Sequence, residues 1–283
     1  MNLSPSEAIS GTVNLVVALP DEAKPLIEHW KLSLDTEDSP FRIYSGGQLK
    51  LIVSGLGKLA AATAVGYLFG RAAGRRHEAW LNIGIAGHAS LPLGTGRLVH
   101  KVYDDASGRS WYPPRVLSNL VESKAIRCVN QPDEVYADSA LVDMESAGFV
   151  AAASRLATAE LVQLLKIVSD NRKSPAKLLT KASIQEIVRR QIMNVEPIVA
   201  KLLEMSTERM QRDAPASLVD AFSSRWHFTA TQMVQLSELL RRWQVLRGQD
   251  SALDFVVEQT DARSVIEMLR QLLSHTELHA GDL

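Results

Sequence analysis

Apolar positions fall in two regimes along the chain. Up to Asp170 they come in short unbroken runs, at Thr12–Leu19, Leu49–Ser54, Ala79–Ile85 and Ala159–Ser169. Runs of this length, rich in β-branched residues, predict strands covered on both faces. Phe41–Ser45 and Leu49–Ser54 flank Gly46-Gly47 and predict a hairpin. Leu98–Tyr103 and Ala125–Val129 are weaker strand candidates. Between strands, Pro20 starts a short helix with Asp21 and Glu22 in its first turn. Gly55-Leu-Gly57 is a tight turn into an alanine-rich helix, Lys58–Ala73, and Gly84-Ile-Ala-Gly87 is expected as a second glycine turn at a strand end. Val142–Leu156 is expected as a helix.

From Ser183 the spacing is helical. Ile184, Ile187, Val188, Ile192, Val195, Val199, Leu202 and Leu203 recur on one face. Met233, Leu236, Leu239, Leu240 and Trp243 do the same within Thr229–Leu246, and Ser264–Ser274 predicts a further helix. The pattern divides the chain into an arm at 1–11, an α/β domain at 12–212 and a helical extension at 213–283, with a joint at Arg212–Pro215.

Composition narrows the class. The chain has 283 residues, 46% of them hydrophobic and 22% charged, which suits a substantial core. A net charge of −1 gives no general attraction to nucleic acid or an anionic membrane. The single cysteine, Cys128, cannot form an internal disulfide and is read as a buried thiol. No signal peptide or run of roughly 20 apolar residues is apparent, so a cytoplasmic protein without membrane partners is expected.

Three carboxylates stand at places where α/β sheets put ligand crevices. Glu22 follows the first strand; by itself it reads equally as a solvated first-turn acid. Glu145 opens a helix of small apolar residues; its two oxygens fit a cis-diol, and Met144 beside it offers a polarizable wall. Asp170 ends the last strand, where shielding from water suits a general acid, although Ser169-Asp170-Asn171 also fits a simple turn cap. The glycines let backbone approach a ligand, which makes Ile85, Ala86 and Gly87 candidates for substrate contact. The sequence shows neither a dinucleotide fingerprint nor a Walker loop.

Taken in order, these segments resemble the nucleoside phosphorylase and nucleosidase superfamily, most of all its methylthioadenosine/S-adenosylhomocysteine nucleosidase-like branch. The resemblance covers about residues 12–205 and rests most on Val142-Asp-Met-Glu-Ser-Ala147 and Ile167-Val-Ser-Asp170. Val13–Ala23, Ser54–Ala62, Asn82–Gly87 and Leu93–Val99 add to it. It implies a three-layer α/β phosphorylase/hydrolase-like fold with a central mixed sheet flanked by helices, plus a C-terminal helical extension. It also implies cleavage of a purine N-glycosidic bond without a cofactor or metal. Glu22 would activate water, Met144 and Glu145 would hold the ribose, Asp170 would protonate the base, and Ser169 would orient Asp170 or the base.

The departures from that pattern are specific. Ile85 stands where a hydroxyl residue is expected, Lys166 where an arginine is typical, and the Tyr103–Ala125 segment is short. Asp104–Pro114 is either a compact lid, with Trp111 or Tyr112 stacking on a base, or a packed surface turn. Asn130 and Gln131 lie about where the family reads the base. Lys24 is the only cation offered near the first strand end, which favours hydrolysis over phosphorolysis. The alternative from another class is a catalytically decayed nucleoside-binding scaffold. In the extension, Arg241-Arg242-Trp243 with Arg247 reads as part of an amphipathic structural face rather than a nucleic-acid site; its apolar stripes are candidate homodimer contacts, and His227 is expected as a structural histidine.

Overall fold

The computed structural model describes residues 11–71, 76–132, 135–136, 139–212, 216–248 and 250–280. It divides into two compact units, Met1–Thr207 and Glu208–Leu283. The arm expected at 1–11 and the joint expected at Arg212–Pro215 lie largely outside the described residues.

The first unit is built on one mixed sheet. Its strands are β1 (Val13–Val17), β2 (Ser33–Leu34), β3 (Arg42–Gly46), β4 (Leu49–Val53), β5 (Ala79–Gly87), β6 (Gly96–Asp104), β7 (Ser110–Trp111), β8 (Ser123–Cys128), β9 (Leu141–Asp143) and β10 (Val162–Asp170). Its helices are α1 (Pro20–Trp30), α2 (Lys58–Arg71), α3 (Ser146–Ala153) and, as far as Thr207, α4 (Lys181–Arg212). β1, β5 and β10 lie side by side and parallel, with β4 parallel to β1 on the far side. β5 also pairs antiparallel with β9, and β10 with β6, so the strands β5-β10-β6-β8-β9 close on themselves.

The alternation of β1 shows why the layers form. Val13, Leu15 and Val17 face one core with Leu26 of α1 and Val188, Val195 and Leu202 of α4. Val16 faces the other, with Ala61 and Val65 of α2 and Phe149 of α3. A strand buried on both faces loses the polar half of the usual alternation, hence the unbroken apolar run. This is the expected three-layer α/β arrangement.

Three sequence expectations need correction. Gly84-Ile-Ala-Gly87 is not a turn: pairing with β10 carries β5 through to Gly87. Val142 and Asp143 are strand, not helix, because they pair with β5 and β8; α3 begins at Ser146. Ala159–Leu161 is a 3-10 turn that precedes β10. Two short edge strands, β2 and β7, carried too few residues to show a period.

The second unit holds α5 (Ala216–Ser223), α6 (Ala230–Arg247) and α7 (Ala262–Ala280) around Phe222, Trp226, Leu236, Trp243, Val256 and Leu269. A reciprocal cap starts α6: the Gln232 N–H donates to Thr229 Oγ1, and the Thr229 N–H donates to Gln232 Oε1. Trp243 is core, and Arg247 stacks over Trp243 and Phe255, so this basic edge is used in packing. His227 is exposed, contrary to the structural role expected of it.

Candidate active site

A cavity of about 150 Å³ opens where the parallel strands β1, β5 and β10 end. Such ends are the usual crevice of open α/β sheets. Glu22, Ile85, Ala86, Gly87, Met144, Glu145, Ser169 and Asp170 all line it. The convergence rests on Gly87, which is in register with Asp170 on one side and Val142 on the other. β9 thereby delivers Met144-Glu145 opposite Ser169-Asp170.

Glu22 is buried rather than solvated. It reaches back from the first turn of α1, where Oε2 accepts the N–H groups of Ala18 at 3.0 Å and Leu19 at 2.8 Å. Oε1 accepts the Ile85 N–H at 2.9 Å. Burial pushes its carboxyl above the ordinary range, against the pull of these backbone N–H groups and of Lys166. A carboxylate has about four lone-pair sites, so roughly one remains for a water.

Glu145 sits at the N-cap of α3, and its Oε1 accepts the Gly57 N–H at 2.8 Å. Gly57 needs its positive φ of 96° to aim that N–H. The approach of α2 to α3 depends on Gly148, where a Cβ would lie 1.9 Å from the Lys58 carbonyl oxygen. Burial first, then the neighbouring Asp143 charge, raises the Glu145 carboxyl above its ordinary value.

Next to these two acids lies a pair of which the sequence singled out only Lys166, as standing where an arginine is typical. Lys166 Nζ and Asp143 Oδ2 are 2.8 Å apart, each side chain 1% exposed. The other Asp143 contacts are the Ser146 N–H at 3.0 Å and hydroxyl at 2.6 Å. Burial opposes the Lys166 charge, but Asp143, Glu145 and Glu22 outweigh it and hold the ammonium above its usual range. Gly84, opposite Lys166 in the sheet, makes the room: a Cβ there would be 3.2 Å from Glu22 Oε1 and 3.3 Å from Lys166 Nζ. The acid at Asp143 and the cation at Lys166, each within an apolar strand, were the available signals.

The Asp170 carboxyl is held by hydroxyls. Ser169 Oγ donates to Oδ1 at 2.5 Å, and the Tyr136 hydroxyl donates to Oδ2. Ser169 Oγ also lies 3.4 Å from the Ala86 carbonyl oxygen.

A neighbouring hollow of about 250 Å³ shares Leu56, Val129 and Met144 with the cavity and adds Gly57, Lys58, Leu59 and Asn130. Gln131 is exposed and lines neither. Trp111 packs half-buried on the apolar core and Tyr112 is 69% exposed, so the Asp104–Pro114 segment is a surface turn with an edge strand. Cys128 is buried, and burial pushes its thiol up to about 12. Among the described residues no group of three or more His, Cys, Asp or Glu side chains could hold a metal ion, and no helix is long and apolar enough to cross a membrane.

The same arrangement of elements occurs in solved structures. Methylthioadenosine nucleosidase from Arabidopsis thaliana superposes with a TM-score of 0.57 at 17% identity, over 68% of this chain and 96% of that one. The fold is that of the nucleosidases. Futalosine hydrolase from Helicobacter pylori matches with a TM-score of 0.55 at 13% identity, over 68% of this chain and 99% of its own. The methylthioadenosine/S-adenosylhomocysteine nucleosidase of Colwellia psychrerythraea, solved in complex with adenine, matches at 0.55 and 20%, over 69% and 96%. No family model and no curated protein sequence matches the chain. At these identities the nucleosidase fold is what is shared.

Proposed function

We propose that the protein hydrolyses the N-glycosidic bond of a purine nucleoside or thionucleoside. The observation that carries this reading is that Glu22, Glu145 and Asp170, from three separate elements, line one cavity. Glu22 takes a proton from the attacking water through its remaining lone pair. Glu145 accepts the ribose hydroxyls, with Met144 against the sugar. Asp170, oriented by Ser169, gives its proton to the departing base, while Ile85, Ala86 and Gly87 form the floor under the sugar. Bond cleavage builds positive charge on the sugar and negative charge on the base, and carboxylates near the first with an acid near the second stabilise both.

Water rather than phosphate is the nucleophile in this reading. Glu22, Asp143, Glu145 and Asp170 line the cavity, and no Lys or Arg is among its described lining residues. Lys24 is exposed, and Lys166 is committed to Asp143. A phosphate dianion would meet carboxyl groups with no cation among the lining residues to receive it. The test is a panel of purine nucleosides and thionucleosides, with and without phosphate, scored for free base by chromatography. The expected result is phosphate-independent base release that falls about a hundred- to ten-thousand-fold in Asp170→Asn with the circular-dichroism spectrum unchanged. Saturable nucleoside binding without base release would replace the reading with a binding scaffold.

A further inference from the structure

Tyr136 is the buried contact of the site that the reaction described above leaves unused. Its side chain is 1% exposed, and its hydroxyl donates to Asp170 Oδ2, opposite the Ser169 hydroxyl on Oδ1. Two further features hold it there. The backbone at Tyr136 has a φ of 48°, a conformation that bulky residues rarely adopt unless the surroundings impose it. Arg172, just beyond Asp170, donates through Nη2 to the Tyr136 carbonyl at 2.6 Å. Gly87 completes the seat: a Cβ there would lie 2.7 Å from both Asp170 Oδ2 and Tyr136 Cε1.

We propose that Tyr136 is a positioning residue for Asp170, fixing the carboxyl plane against β5 and stabilising the carboxylate left behind when the proton goes to the base. The proposal rests on the reading of Asp170 as the acid. The chemistry follows from hydroxyls on both oxygens. Each can donate to the ionised carboxyl, so both oxygens keep a hydrogen-bond partner once the proton has gone to the base. Rotation about the terminal bond of Asp170 would break both hydrogen bonds at once, so its remaining lone pairs keep one direction relative to the cavity. Tyr136 is not among the cavity-lining residues and acts through Asp170.

Other charged groups around Asp170 stay constant in the test. Glu22, Asp143 and Glu145 line the same cavity from α1, β9 and the N-cap of α3, with Lys166 on Asp143. Arg172 binds the Tyr136 backbone, which a phenylalanine retains. The His88 ring Nδ1 accepts the Ser90 and Leu91 N–H groups, and its backbone N–H donates to the Asp170 carbonyl.

The experiment measures kcat and KM for base release in the full chain, and beside them the carboxyl-13C signal of Asp170 at one fixed pH, assigned by its loss in Asp170→Asn. Tyr136→Phe keeps the ring in its seat and removes only the donor. Its expected effect is a fall in kcat of about ten-fold with KM nearly unchanged, together with a moved Asp170 carboxyl signal. An unmoved Asp170 signal in Tyr136→Phe overturns the proposal. So does a kcat that stays put while the signal moves. A wild-type protein that releases no base defeats the hydrolase reading instead, and the aspartate signal then decides the Tyr136 coupling without any substrate. Gly87→Ala provides a second variant: crowding both partners at once, it should move the same signal, and an unmoved signal would show that this seat does not hold Asp170.

Discussion

Lys166 and Asp143 meet at 2.8 Å at the wall of the cavity, each side chain 1% exposed. The pair joins β10 to β9, strands that are not neighbours in the sheet, and so fixes the two segments that carry Asp170 and Glu145. Breaking such a pair strands a buried charge. Lys166→Met is expected to cost about 3–5 kcal/mol, read from the urea unfolding of the α/β unit. Adding Asp143→Asn should restore part of that loss. Equal damage from the single and double variants would show that the charge on Asp143 is not the cause.

The acidic limb of the pH–rate profile should lie above pH 4.5, the ordinary value for Glu22. Glu22 must be ionised to take a proton from water, and its burial favours the protonated form. Activity therefore rises with pH through the elevated value. The measurement is kcat/KM for base release between pH 4 and pH 8. A limb at or below the ordinary carboxylate value would contradict the role given to Glu22.

Glu145 carries a stability consequence of the opposite kind. Its folded pKa is raised above the unfolded value of 4.5, so its contribution is fully present below that pH and is lost as pH rises through the folded value. Glu145→Gln removes the charge and keeps an acceptor for the Gly57 N–H. It should raise Tm at pH 8, with the gain fading toward pH 4, while base release falls. A gain of the same size at both pH values would mean that charge burial is not responsible.

Gly148→Ala should act at a distance from the reacting atoms. Its Cβ would meet the Lys58 backbone at the start of α2, and backbone cannot step aside as a side chain can. Overpacking of this kind costs about 1–3 kcal/mol and sometimes more. Separation of α2 from α3 also takes the Gly57 N–H away from Glu145. The expected outcome is a lower Tm together with a higher KM for the nucleoside. A variant with unchanged melting would show that the helices adjust freely.

Much of this site was legible in the sequence. Continuous apolar runs marked β1, β5 and β10 because burial on both faces erases alternation, and acids at the ends of such runs stand out against them. Glu22 and Ser169-Asp170 were found in that way, and Met144-Glu145 as the opening of a helix of small apolar residues. The roles within the site were less visible. Glu22 read as a solvated first-turn acid or a base, and only the tertiary structure shows that it also caps α1 and holds the Ile85 N–H.

The sequence by itself determined which segments are buried strands, where helical packing takes over, and which acids stand at strand ends, because those properties depend on a residue and its near neighbours. The tertiary structure alone decided that Gly87 lies in register between Asp170 and Val142, that Lys166 neutralises Asp143, and that Tyr136 reaches Asp170 from 34 residues away. These depend on the order in which strands pair and on the space left by missing Cβ atoms. Local hydrophobic periodicity carries no information about either.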